Sequence, residues 1–156
     1  MKVQGVYQRK VTTRTLPEYD FLKYWRVIRF WVKKKYSLSI SDMEMLLFLY
    51  SEQIFNKSKF KEYGEIMSWD TKRFKRLLSE GWIHVWRKRQ GQETTLYELT
   101  YKGKRVMRTI YDKINGKEIS ELAFTNPLFS SDPSYADNVN RNMIVKMNKE
   151  TKSSTD

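Results

Sequence analysis

The sequence contains no cysteine and a single histidine, His84. A disulfide scaffold, a thiol nucleophile and every zinc site built from several Cys or His ligands are thereby excluded. Acids are scarce: 18 Asp and Glu stand against 30 Lys and Arg, a net charge of +12 over 156 residues, with a pI near 9.8. Long hydrophobic runs are missing, and nothing approaches the ~18 consecutive apolar residues of a membrane span. Residues 1–7 lack the apolar core of a signal peptide, so none is expected. Of the six glycines, none stands in a GxxxxGK[ST] phosphate loop or in a GxGxxG turn. The carboxylate pairs best placed for acid–base work, Glu62 with Glu65 and Asp42 with Glu44, sit where capping and solvation account for them. The expectation is therefore a soluble intracellular protein, in the cytoplasm of a bacterial or phage-infected cell. It is expected not to be an enzyme, to need no cofactor or metal, and to meet a polyanionic partner.

What is present suffices for one domain and a tail, since a chain of this length buries roughly 70% of its unfolded surface. Residues 1–16 read as an arm or short strand. From Pro17, a residue tolerated in a first helical turn, a helix is expected over 17–35. Its apolar residues, among them Phe21, Trp25, Ile28, Phe30 and Trp31, cover most of the circumference. Such a helix either lies centrally or packs against a second subunit; the second is favoured. Its closing run Lys33-Lys34-Lys35 suits the negative end of the macrodipole.

Ser41-Asp42-Met43-Glu44 reads as a capping box opening a second helix, and a third runs from about Ser58 to Ile66. Asp70 is the expected cap of a fourth helix ending at Glu80, stopped by Gly81. The period then changes to two. Trp82-Ile83-His84-Val85-Trp86-Arg87 and residues 94–99 form two strands about a turn at Gln90-Gly91-Gln92. Thr100 caps a long helix that ends at Asn115-Gly116. Residues 117–148 form an irregular extension with a short helix marked by Tyr135, Val139, Met143 and Met147, and 149–156 a disordered tail.

This is a mainly α fold with a small β-hairpin, the layout of a winged helix-turn-helix over residues 17–116. Two junctions, Leu77-Leu78-Ser79-Glu80-Gly81-Trp82-Ile83 and Leu99-Thr100-Tyr101-Lys102-Gly103, resemble the DNA-binding lobe of the MarR (multiple-antibiotic-resistance regulator) family across residues 41–116. The Asp-x-Arg brace of many wings in that family has no counterpart in Arg89-Gln90-Gly91-Gln92. The resemblance implies double-stranded DNA as partner, transcriptional regulation, and a homodimer through helices 17–35 and 100–115.

The charge distribution leads to the same site by a separate route. Residues 71–105 hold ten basic side chains against Glu80, Glu93 and Glu98. At ~100° per residue, Phe74, Leu77 and Leu78 form the buried stripe of the fourth helix. Lys72 and Arg76 then point away from it, with Arg73 and Lys75 on the flanks. In a major groove Arg76 could read guanine, Lys72 and Lys75 would hold phosphates, and Thr71 could do either. Arg87, Lys88 and Arg89 suit the minor groove or flanking phosphates. The blander accounts are a solvated helix face and a hairpin with basic edge protection. Trp82, His84 and Trp86 could form a stacking platform, although a tryptophan packed on the following helix is the simpler reading. The alternative function is a winged-helix interaction or assembly module, possibly phage-encoded, whose basic face meets an acidic protein.

Overall fold

The computed structural model describes residues 22–67 and 71–154. Along them run α1 (Trp25–Tyr36), α2 (Ile40–Glu52), α3 (Lys57–Met67), α4 (Thr71–Ser79), β1 (Ile83–Arg87), β2 (Leu96–Leu99) and α5 (Tyr101–Ile114). A 3₁₀ turn at Pro127–Phe129 and α6 (Tyr135–Ser154) follow. The chain is mainly α-helical with one small antiparallel hairpin, an arrangement compatible with a winged-helix-type architecture. The expected arm at 1–16 and the Asp70 cap lie outside the described residues.

Two helix starts differ from the sequence reading. The first helix begins at Trp25 in the described part, because residues 22–24 bend and turn ahead of it. The second begins two residues early: Ser39, not Ser41, is its cap, accepting the Asp42 amide at 3.1 Å. With Ser39 as cap, Asp42 rather than Glu44 takes the third helical position. Asp42 is thereby carried into the interior.

α1 buries Val27, Ile28, Trp31 and Val32 and touches α2, α5, α6 and the 3₁₀ turn. The C-terminal extension supplies part of its cover from the same chain. α6 is correspondingly one helix of 20 residues rather than a short one with a loose tail. Its last turns are tied down by the Glu150 bridge to Lys23 at 2.8 Å and by Thr151 Oγ1 donating to the Met147 carbonyl.

The extension is fastened by polar staples. Asn148 is buried and exchanges two hydrogen bonds with the Ile119 backbone, at 2.8 and 3.1 Å. Asn126 caps the 3₁₀ turn through Leu128 N and donates to the Ser120 carbonyl. Arg141 holds the carbonyls of Leu128 and Ser130. Ser134 and Asp137 form a reciprocal capping box at the start of α6.

The hairpin pairs Ile83 with Leu99 and Val85 with Tyr97, then slips by one residue between Val85 and Arg87. A further edge appears that the sequence pattern did not show: Phe55 bridges Tyr97 through two backbone hydrogen bonds, at 3.0 and 2.7 Å. It seats Phe55 beside Phe74 and Tyr97, so the α2–α3 connection closes the core beneath α4.

Candidate nucleic-acid interface

α4 is placed by its apolar side. Phe74 is 1% exposed and Leu77 fully buried, with the Phe74 ring meeting Phe60 and Tyr97 at centroid distances of 4.8 and 5.0 Å. That seating leaves Thr71, Lys72 and Lys75 exposed. Neither lysine has an ion-pair partner among the described residues.

The two arginines behave otherwise. Asp42 is 1% exposed; its Oδ1 accepts from Arg73 at 2.9 Å, and Arg76 Nη2 reaches both oxygens at 2.7 and 2.9 Å. Burial pushes this carboxyl up, but the hydrogen bonds from Arg76 and Ser39 and the charges of Arg76 and Arg73 outweigh it. The result lies below the usual carboxylate range. Arg76 also stands 3.7 Å from Glu80. The helical wheel placed Arg76 outward and unopposed; its guanidinium instead lies against Asp42 while 46% of the side chain stays exposed. No local signal marks Asp42 for this task, because its partners lie 31 and 34 residues away. A shallow polar depression of about 460 Å³ surrounds the cluster, bounded by Lys33, Ser37 and Ser39.

Past α4, the two glycine-bearing junctions lock together. Gly81 takes φ +81°, a backbone conformation that favours glycine. Thr100 Oγ1 donates to the Gly81 carbonyl at 2.7 Å and accepts the Gly103 amide at 3.1 Å, joining the end of α4 to the start of α5. A Cβ on Gly103 would stand 2.7 Å from the Trp82 carbonyl oxygen. Only a glycine lets α5 approach this closely.

The wing has a brace after all, supplied from its other limb: Arg87 Nη2 meets Glu93 at 3.2 Å. Gln90 and Glu93 close the turn, and Arg89 Nε donates to the Gly91 carbonyl. Lys88 and Arg89 are exposed, and Lys88 has no acid partner among the described residues. A three-aromatic platform does not form. Trp82 is buried, with Lys102 Nζ 4.1 Å from its ring centroid. His84 instead meets Glu98 at 2.9 Å, opposite Lys104 at 2.7 Å. The Lys104 hydrogen bond draws the Glu98 carboxyl below the usual range against the effect of burial, and His84 adds to it. Val85, the last residue in regular register, and Trp86, at the slip, stand 41% and 49% exposed.

Among the described residues no group of three or more His, Asp and Glu stands close enough to hold a metal ion, and no helix is long and apolar enough to cross a membrane. No protein-family description, curated protein or solved structure matches the chain.

Proposed function

We propose that this chain binds double-stranded DNA, with α4 in the major groove and residues 87–92 against the minor groove or flanking phosphates. One observation carries the reading. Within residues 71–105, Arg73, Arg76, Arg87 and Lys104 are engaged by acids, whereas Lys72, Lys75 and Lys88 are exposed and hold none among the described residues. Arg89 on the wing and Lys102 and Arg105 on α5 are likewise exposed and hold no acid among the described residues, so four of these six uncompensated cations stand on the two elements that a winged helix presents to a duplex.

The division of labour shifts from the simple wheel. Lys72, Lys75, Lys88 and Arg89 hold phosphates, Thr71 contacts the backbone at the helix start, and Arg73 and Arg76 are fixed in orientation by Asp42. Arg87 shapes the wing through Glu93. Transcriptional regulation of the MarR type is the role such binding would serve, and a binding protein rather than an enzyme accords with the lack of phosphate-loop and dyad motifs. These contacts lie within one copy, and α6 packs against α1 from the same chain. The rival reading, an interaction module for an acidic protein, draws support from the exposed Val85 and Trp86.

Fluorescence anisotropy of a labelled random duplex, titrated with the chain at several salt concentrations, tests the proposal. Submicromolar binding at low salt that weakens steeply as salt rises is expected. Absence of binding at low salt would direct the charge to a protein partner.

A further inference from the structure

Away from α4 and the wing, the molecule displays two surfaces that complement one another. The first is a groove of roughly 610 Å³ between α1 and the first half of α6, within the ~300–1,000 Å³ range of ligand pockets. Phe30, Ile40, Val139 and Met143 give it an apolar lining, and four cations, including Arg26 and Lys33, stand at its edge without any acid among the lining residues. Arg26 and Lys33 have no ion-pair partner among the described residues. Val139 is 44% exposed and Tyr135 86%.

The second is a turn that projects from the extension. Leu122 and Phe124 are 68% and 98% exposed, as anchors are before they are seated. This turn is built to hold its shape. Thr125 and Asn126 amides donate to the Leu122 carbonyl, Asn126 Nδ2 donates to the Ser120 carbonyl, and the Ser120 and Thr125 hydroxyls meet. Glu121 flanks the anchors, exposed and without an ion-pair partner among the described residues. Residues 118–134, ahead of the groove's own helix, hold three acids and no Lys or Arg, an acidic stretch in a chain of +12.

We propose that the groove between α1 and α6 receives the Leu122–Phe124 turn of a second copy of this chain, giving a head-to-tail contact. Leu122 and Phe124 enter among Phe30, Val139 and Met143, and Glu121 meets Arg26 or Lys33 at the edge. A chain does not fill its own groove. Its turn is pinned at one end by the Ile119–Asn148 pair and at the other by Arg141 on the Leu128 and Ser130 carbonyls, and so held it keeps Leu122 and Phe124 exposed. Because donor and acceptor surfaces differ, the contact is heterologous. Repetition closes a ring or extends a filament.

Sedimentation velocity over a concentration series, at low salt and with the full chain, tests this. The wild type is expected to associate beyond a dimer or into a closed ring. Phe124→Ser and, separately, Val139→Glu each weaken association about 30-fold or more, the loss expected when an interface anchor is spoiled. Both positions are surface-exposed, and circular dichroism matching the wild type verifies the fold. The decisive arm mixes the two variants. Each retains one sound half of the contact, so the mixture forms a 1:1 dimer and nothing larger. A wild type that stays monomeric overturns the proposal and leaves the groove to a different acidic partner. So does a dimer indifferent to both substitutions, or a mixture that stays monomeric. DNA binding by the wild type does not enter these readouts, so the two proposals fail separately.

Discussion

Residues 38–114 and residues 117–154 are held in place by different chemistry. In the first, rings and aliphatic chains do most of the holding: Phe55, Phe60, Phe74 and Tyr97 meet at centroid distances of 4.8 to 6.5 Å, over Leu46, Leu49, Leu77 and Met107, all fully buried. In the second, Ile119, Leu128, Ile144 and Met147 supply the buried apolar surface, and Asn126, Asn148, Arg141 and the Ser134–Asp137 pair set how it lies. Apolar burial is non-directional and scales with area. A hydrogen bond adds only about 0.5–1.5 kcal/mol net, but it fixes direction, and leaving a buried partner unmade costs more. The lobe is therefore packed and the extension stapled.

Substitutions can break that contrast. Phe74→Ala is expected to cost about 3–5 kcal/mol, as large-to-small changes of buried aromatics do, measured by urea unfolding. A loss below about 1 kcal/mol would mean the ring cluster is not the core of the lobe. Asn148→Ala orphans both backbone groups of Ile119 and should cost about 1–3 kcal/mol. Hydrogen exchange should then quicken across residues 117–130 while the amides of α2 and α4 keep their protection. Equal loss in both regions would erase the distinction.

Asp42, like Thr100, is a point where the packed lobe also uses a polar staple. Asp42→Asn should cost about 1–3 kcal/mol at neutral pH, because Arg73 and Arg76 lose their counter-charge. The folded carboxyl titrates below its unfolded value of about 3.9, so its contribution is complete above that pH and is lost as pH falls through the folded value. The gap between wild type and variant should accordingly narrow in acid; a gap constant from pH 7 to below about 3 would rule out the charge as its source. The variant should also bind DNA more tightly at low salt, because the Asp42 charge no longer opposes Arg73 and Arg76. The smallest stability effect is expected of Lys72→Ala with Lys75→Ala, within about 0.5 kcal/mol for each exposed site. A larger loss would show that these lysines pack rather than await a ligand.

The contrast also explains what the sequence made legible. Apolar periodicity and glycine punctuation suffice for α2 to α5 and the hairpin, because in the lobe the side-chain pattern and the fold are the same information. Gly81, Thr100 and Asn115-Gly116 mark real ends for that reason. Ser39 and Ser41 are both plausible caps by local chemistry, and only the burial of Asp42 beside two distant arginines distinguishes them. The full length of α6 escaped for a related reason: its last turns are polar, and Lys23, far off in sequence, supplies the tie. In the candidate site the exposed lysines were readable from the wheel. The arginines were not, since a wheel shows which way a residue leaves the helix and nothing of what waits there.

The central claim is that the exposed lysines of α4 and the wing meet DNA phosphates. The most direct test compares the slope of log affinity against log salt for the wild type and for Lys72→Ala/Lys75→Ala/Lys88→Ala on one labelled duplex. Each lost phosphate contact should flatten the slope by about 0.9, so the triple variant should lose close to ~2.7 of it with unfolding nearly unchanged. An unaltered slope in a folded triple variant would contradict the account.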